Sequence, residues 1–174
     1  SVSAGATEVR IDFAWDANKS RITVFDDGRG MNDAELESAM RLGDRSPLDV
    51  RDPSDLGRFG MGLKTASFSQ CRRLTVASVS EGGSTCCLRW DLDALALRPD
   101  EGWLLFEGAA EGSEGFLTPL SEMKTGTLVL WENLDRIVTD GYTVDDFSDM
   151  IDNVERRLVT CSKEAARFCA VPLD

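Results

Sequence analysis

Alternation of polar and apolar residues is the feature that most constrains this chain. Residues 8–15 and 20–26 alternate with a period of two on either side of an Asp-Ala-Asn-Lys turn, which predicts a β-hairpin. Residues 74–79 and 85–90 flank Glu-Gly-Gly-Ser and predict a second hairpin. Residues 103–106 and 127–131 supply two further strand patterns. The chain therefore contains enough strands for one sheet.

Helical patterns lie between and after these strands. Asn32 with Glu35 three residues later predicts a capped helix that ends at about residue 42, and a second helix is expected over residues 61–69. Residues 144–170 carry an apolar stripe that predicts one long helix or two shorter ones. Residues 43–57 and 107–124 are expected to be loops. The fold class predicted is α+β: a two-layer sandwich of one mixed, mostly antiparallel sheet with helices on one face.

Composition excludes several functions. The 174 residues suit one domain, and the formal net charge of -12 disfavours direct binding of nucleic acid or of an anionic membrane. The absence of histidine removes imidazole catalysis and imidazole metal ligation. Five cysteines, two of them adjacent, indicate small buried hydrophobes in a reducing compartment, and no apolar run suits a membrane span. We therefore expect a cytoplasmic protein.

The first candidate motif follows the second strand. Asp26-Asp27-Gly28-Arg29-Gly30-Met31 places a carboxylate before two glycines, where the backbone can approach a flat ligand closely. A carboxylate there can accept a hydrogen bond from an exocyclic amine such as that of adenine. The alternative interpretation is an ordinary Asp-Gly turn.

Two further motifs contain glycine. Gly57-Arg58-Phe59-Gly60-Met61-Gly62-Leu63-Lys64 runs into a predicted helix, whose free N–H groups and nearby lysine suit phosphate. It matches neither the P-loop nor the dinucleotide fingerprint, and the alternative is a flexible hinge. Lys124-Thr125-Gly126-Thr127 opens a strand and can bring a hydroxyl near the first motif, although ordinary strand entry explains it equally well.

Taken in order, these motifs resemble those of the GHKL superfamily of ATPases, which includes gyrase, heat-shock-90-type chaperones, histidine kinases and MutL proteins. The resemblance covers residues 1–136, whereas residues 137–174 are not diagnostic and are expected to form a C-terminal helical extension. Residues 42–46 and 56–67 are most similar to microrchidia (MORC) ATPases and their bacterial relatives. The resemblance implies a single ATP-binding domain over residues 1–174 with the Bergerat sandwich fold.

The resemblance also implies the ligand and the roles of its contacts. ATP with Mg²⁺ would bind on one face of the sheet beneath a lid formed by residues 43–57. Asp26 would bind the adenine amino group, Thr127 would support the water network around it, and Lys64 would lie beside the phosphates. The complete nucleotide-binding set is Asp26, Gly28, Gly30, Met31, Gly57, Arg58, Phe59, Gly60, Met61, Gly62, Leu63, Lys64 and Thr127.

Catalytic residues are expected outside the chain. In the superfamily, a helix before the first strand carries a water-activating glutamate and a Mg²⁺-ligating asparagine. Aligning residues 1–4 with the end of that helix places both upstream of Ser1, so we expect no catalytic residue and no metal ligand here.

Three functions follow from the resemblance. The first is an ATPase domain that uses ATP for lid closure and conformational cycling, with hydrolysis and nucleotide-dependent homodimerisation in an intact parent protein. The alternatives are a nucleotide-sensing switch without hydrolysis and a histidine-kinase-like catalytic domain.

Overall fold

The computed structural model describes residues 1–41, 62–161 and 167–173. Strands β1 to β7 are Glu8–Ala14, Arg21–Asp26, Arg73–Val79, Cys86–Asp91, Phe106–Glu107, Gly126–Glu132 and Arg167–Leu173. Helices α1 to α5 are Asp33–Met40, Gly62–Phe68, Leu92–Ala96, Thr118–Ser121 and Val144–Cys161. Short 3-10 helices occupy Val2–Ala4, Ala17–Lys19, Pro99–Glu101 and Glu114–Leu117.

The strands form one seven-stranded sheet in the order β5-β4-β3-β6-β2-β1-β7. Its pairs are antiparallel except for the parallel pair of β1 with β7. Both predicted hairpins are present, β1 with β2 and β3 with β4. This order places the carboxyl end of β2, the amino end of β6 and the carboxyl end of β3 side by side.

The main core lies between one face of the sheet and the longer helices. Asn32 caps α1 through a capping box with Glu35, as the sequence predicted. Leu36 and Met40 of α1 are fully buried, and Phe147 of α5 packs into the same cluster. This arrangement confirms the α+β sandwich with a mixed, mostly antiparallel sheet and helices.

The opposite face of the sheet is covered by part of the segment expected to be a loop. The 3-10 helix at Glu114–Leu117 and α4 bring Phe116, Leu117 and Leu120 against Ala77 and Leu128. The Gly-rich and Ser-rich composition of residues 107–124 did not predict that this segment covers the sheet, because only these few apolar side chains make the contact. The short α4 therefore adds a cover on the second face.

Two sequence predictions were wrong in detail. The strand expected at residues 103–106 is confined to Phe106–Glu107, because Gly102 has a φ of +76° and Trp103 beyond it is 70% exposed. The helix expected to reach residue 170 ends at Cys161, and Arg167–Leu173 is instead a strand beside β1. Pro172 suits a position at the edge of a sheet, where a missing N–H is tolerated.

Candidate nucleotide-binding site

Three polar side chains meet where β2, β6 and β3 lie together. Thr127 is the register partner of Asp26 on one side and of Ser78 on the other. Residues directly opposite one another in a sheet project from the same face. That face is the one covered by the longer helices, because Val76 and Leu74 alternate with Ala77 and belong to the main core. The structure thus brings the predicted Asp26 and Thr127 together and adds Ser78.

The Asp26 carboxylate is buried, with 7% of the residue exposed. Its Oδ1 accepts a hydrogen bond from the Gly28 amide at 2.9 Å, and its Oδ2 accepts one from the Ser1 hydroxyl at 2.8 Å. The Ser1 amino group lies 3.7 Å from Oδ2. These contacts hold the carboxylate in one orientation at the end of β2.

Gly30 is required by the packing of the Asp26–Met31 turn against β3. Its φ is +67°, and a Cβ at this position would stand 1.8 Å from the Val79 carbonyl oxygen. A Cβ on Gly28 would stand 2.7 Å from Asp26 Oδ1 and 2.8 Å from the Ala4 side chain. The sequence explained these glycines by approach to a ligand. The structure adds that Gly30 lets the turn approach β3 and that Gly28 lets it approach Asp26 and Ala4.

Ser78 links the turn to Thr127. It is fully buried, and its Oγ accepts a hydrogen bond from the Met31 amide at 2.8 Å. The same oxygen lies 2.8 Å from the Gly126 carbonyl oxygen and 2.9 Å from Thr127 Oγ1. Sequence reasoning missed this residue. The available signal was a serine in phase with Leu74 and Val76, at a position where alternation predicts a core side chain.

Lys64 is 2% exposed and reaches α1. Its Nζ donates to the carbonyl oxygens of Ala39, at 2.8 Å, and Arg41. A cation at the carboxyl end of a helix is favoured by the helix dipole. The lysine therefore joins α2 to the end of α1, a role that the sequence did not predict, and its contact with phosphates stays a prediction.

The rest of the predicted phosphate motif is only partly described. Leu63 packs against the main core, and a Cβ on Gly62 would meet no atom of the described residues within 4 Å. Gly57, Arg58, Phe59, Gly60 and Met61, together with the predicted lid at residues 43–57, lie outside the described residues.

A separate cleft of about 610 Å³ opens on the helix-covered face of the sheet, nearer the middle of β1 and β2. Ile11, Val24, Trp131 and Met150 are among its lining residues. These apolar side chains offer shape rather than hydrogen bonds. Ser69, Gln70, Arg136 and Tyr142 also line the cleft, but none of the described residues predicted to bind nucleotide does.

A second buried polar cluster lies on the opposite face, at the other end of β3 and β6. The Arg73 guanidinium donates to Asp91 Oδ2 at 2.8 Å and lies 3.8 Å from Glu132 Oε1. The Ser113 hydroxyl donates to the same Glu132 oxygen at 2.7 Å. Burial acts to raise the pKa of Asp91, but hydrogen bonds from the Ala94 amide and Arg73 outweigh it and hold that pKa below its usual value. This cluster attaches the 107–124 segment to the sheet.

The cysteines whose side chains are described fit the predicted structural role. Cys71 and Cys86 are buried, and Cys71, Cys86 and Cys87 are free thiols. Burial raises the pKa of Cys71 to about 12 and that of Cys87 to about 11. Within the described residues, no group of three or more His, Cys, Asp or Glu side chains is arranged to hold a metal ion.

Comparison with known proteins identifies the family to which this two-layer sandwich belongs. The model of the family described as "Histidine kinase-, DNA gyrase B-, and HSP90-like ATPase" matches residues 1–127. The chain belongs to this family.

One curated relative is the protein named "Chaperone protein HtpG" from Treponema denticola, which is 28% identical over 123 residues. That alignment covers 62% of this chain and 19% of the relative. The chain thus spans about a fifth of the length of the curated relative that it matches.

None of the helices in the described ranges has the length and apolar character needed to cross a membrane.

Proposed function

We propose that this chain binds ATP through the cluster at the ends of β2, β6 and β3. The observation that carries the proposal is the buried Asp26 carboxylate, oriented by Gly28 and Ser1 and placed beside Thr127. Both side chains offer oxygen acceptors, which suits the exocyclic amine of adenine. The turn from Gly28 to Met31 would lie along the base, because its path is fixed by close packing on β3.

The triphosphate would extend toward the amino-terminal end of α2. Backbone N–H groups at the start of a helix favour anions, and the predicted glycine motif leads into this helix. Mg²⁺ would accompany the triphosphate and offset its charge. A local site of this kind is needed because the chain as a whole carries a net charge of -12.

In an intact parent protein, nucleotide binding would drive a cycle of lid closure, hydrolysis and opening, with pairing of two domains in the ATP state. Membership of the family supports this assignment. The relative from Treponema denticola is named as a chaperone, whereas the sequence motifs favour a MORC-like member of the family. The substrate of the parent is a separate question, because fold does not transfer it.

Calorimetric titration of the chain with a non-hydrolysable ATP analogue tests the proposal. We expect saturable binding, which decreases little without Mg²⁺ because the proposed contacts of Asp26 and Thr127 are with the base rather than with the phosphates. Asp26→Asn should weaken binding by about tenfold or more, since a hydrogen bond to a charged group contributes about 1.5–3 kcal/mol.

Asp27→Asn is the matched control for this substitution. Its carboxylate accepts hydrogen bonds from Thr7 and Glu8 rather than from the Gly28 turn, so the same change of charge should leave the affinity unchanged. Unchanged affinity in Asp26→Asn, with the protein folded, would show that the adenine assignment is wrong.

A further inference from the structure

Ser78 occupies a position where the direction of each hydrogen bond can be worked out. Its hydroxyl has one proton and meets three polar atoms: the Met31 amide nitrogen at 2.8 Å, the Gly126 carbonyl oxygen at 2.8 Å and Thr127 Oγ1 at 2.9 Å. The residue is fully buried, so water does not compete for these contacts. These three contacts at one oxygen atom link β3, β6 and the Asp26–Met31 turn.

The Gly126 carbonyl determines where the proton of Ser78 lies. A carbonyl oxygen only accepts, so a contact of 2.8 Å with a hydroxyl oxygen requires the proton of Ser78 between them. The Met31 amide only donates, and it uses one lone pair of the same oxygen. With its proton committed, Ser78 can only accept from Thr127. The Thr127 proton is therefore directed at Ser78.

This direction fixes what Thr127 offers to a ligand. A hydroxyl whose proton is engaged presents only lone pairs elsewhere. The register partner of Thr127 is Asp26, whose carboxylate is an acceptor when ionised. The two neighbouring side chains then form a surface that accepts hydrogen bonds and donates none.

We infer that Ser78 is a positioning residue that determines base specificity through the proton of Thr127. The inference rests on the proposed binding of a purine nucleotide at this site. An acceptor-only surface favours a purine with an amino group at position 6 and disfavours one with an oxo group there, because two acceptors would face each other. Without Ser78, the Thr127 hydroxyl can rotate and donate, and the penalty against the oxo base should fall.

The test compares ADP and IDP by calorimetry on the 174-residue chain. The two bases differ in the group at position 6 and in the hydrogen that the oxo base carries on N1. We expect the chain to prefer ADP by about tenfold or more, as a site of buried acceptors rejects an unmatched partner. Ser78→Ala should reduce this ratio by about fivefold to tenfold, mainly by strengthening the binding of IDP relative to ADP. Ser78→Thr keeps the hydroxyl and should restore the ratio.

Matched variants separate specificity from general damage. Ser67 is also fully buried and accepts a hydrogen bond from the Trp131 indole at 2.9 Å, so Ser67→Ala should lower the melting temperature but leave the ratio unchanged. In a Thr127→Val background, Ser78→Ala should no longer alter the ratio, because the hydroxyl that it orients is gone. If Ser78→Ala does not fold, Ser78→Cys serves instead, since a thiol is a poor partner for the Thr127 proton.

The outcomes are distinct. A folded chain that binds neither nucleotide contradicts the proposed function itself. A chain that binds ADP but shows the same ratio in Ser78→Ala, or in Ser78→Cys, overturns the inference about Ser78 alone. Equal losses for ADP and IDP would give Ser78 a purely structural role and would also overturn it.

Discussion

The chain buries two polar clusters on β3 and β6, at opposite ends of the strands and on opposite faces of the sheet. The Arg73–Asp91–Glu132 cluster joins a guanidinium to two carboxylates, with Arg89 3.9 Å from Asp91. The Asp26–Thr127–Ser78 cluster joins a carboxylate to neutral hydroxyl and amide donors. One cluster is balanced by its own side-chain charges, whereas the other keeps an acceptor surface.

This difference indicates that the Arg73–Asp91–Glu132 cluster serves stability and the Asp26–Thr127–Ser78 cluster serves binding. A buried ion-pair cluster whose partners are all protein side chains contributes by holding segments together, and breaking it leaves an unpaired charge. A cluster that combines an oriented carboxylate with a hydroxyl whose proton is already used retains acceptor capacity for a ligand. Substitutions in the two clusters should therefore affect different measurements.

The largest expected effect is on the balanced cluster. Asp91→Asn keeps the shape of the side chain but leaves Arg73 without its closest carboxylate, 2.8 Å away. We expect the free energy of unfolding in urea to fall by about 3–5 kcal/mol. The affinity for ADP, measured under conditions where the variant is folded, should not change.

An exposed ion pair provides the control. Arg98 and Glu101 lie 3.6 Å apart, with 55% and 53% of their side chains exposed, so Glu101→Gln should cost less than about 1 kcal/mol. Loss of ADP affinity in folded Asp91→Asn would contradict the separation of the two clusters.

Gly30→Ala should have the next largest effect. Gly30 and Gly82 both have φ near +70°, but a Cβ on Gly30 would stand 1.8 Å from the Val79 carbonyl oxygen. A Cβ on Gly82 would meet nothing within 4 Å in the part of the chain that the structure describes. Gly82→Ala should cost about 1–2 kcal/mol of stability from backbone strain alone. Gly30→Ala should cost more and weaken ADP binding, because the turn must move away from Ser78.

Thermal unfolding and calorimetry of the two glycine variants check this expectation. Equal losses of stability, with ADP binding unaffected in both, would mean that close packing of the turn on β3 does not shape the site.

Local patterns in the sequence predicted the elements that depend on neighbouring residues. The β1–β2 hairpin, the capping box of Asn32 with Glu35, and the carboxylate and threonine of the site were all recognised in this way. The strand-entry pattern left the meeting of Asp26 with Thr127 as one of two interpretations, and the resemblance to a family favoured it, since the residues are far apart along the chain.

The features that were missed depend on tertiary contacts. Ser78 resembles any strand serine until β6 and the turn surround it, and Lys64 resembles any lysine of a phosphate motif until the end of α1 lies beside it. The strand at Arg167–Leu173 continues a helical region in sequence, and it is recognised only by its pairing with β1. These residues acquire their roles from partners more than 20 positions away.

Lys64→Met should have a moderate effect on stability. The variant keeps most of the aliphatic stem but leaves the carbonyl oxygens of Ala39 and Arg41 without the ammonium donor. We expect a loss of about 2 kcal/mol, in line with hydrogen bonds from a charged group. Lys19→Met, at the end of an exposed turn, is a suitable control and should change little.

The same variant tests the predicted contact with phosphates. Comparing the affinities for adenosine and for the non-hydrolysable ATP analogue isolates the contribution of the phosphates. A selective loss of affinity for the analogue would support a phosphate contact, whereas a loss of stability alone would limit Lys64 to joining α2 to α1.

The smallest expected effect is a dependence of stability on pH that comes from one carboxylate of the balanced cluster and one carboxylate beside the candidate site. A hydrogen bond from the Thr7 hydroxyl, with one from the Glu8 amide, holds the pKa of Asp27 below its ordinary value of 3.8, and the pKa of Asp91 is also lowered. Since the folded state binds these protons less readily, the stabilisation is complete at neutral pH. It is lost as the pH falls below about 5 and through the lowered values.

Asp27→Asn and Asp91→Asn should therefore each flatten the decrease in melting temperature between about pH 5 and pH 3. In Asp91→Asn the curve should lie clearly lower at neutral pH, because the half-buried Arg73 loses its closest carboxylate. In Asp27→Asn it should lie only slightly below that of the parent chain at neutral pH, since the amide and hydroxyl donors keep a neutral acceptor at this half-buried position. A flattened curve at the same height in both variants would show that the charge of Asp91 is no more important to the fold than that of Asp27.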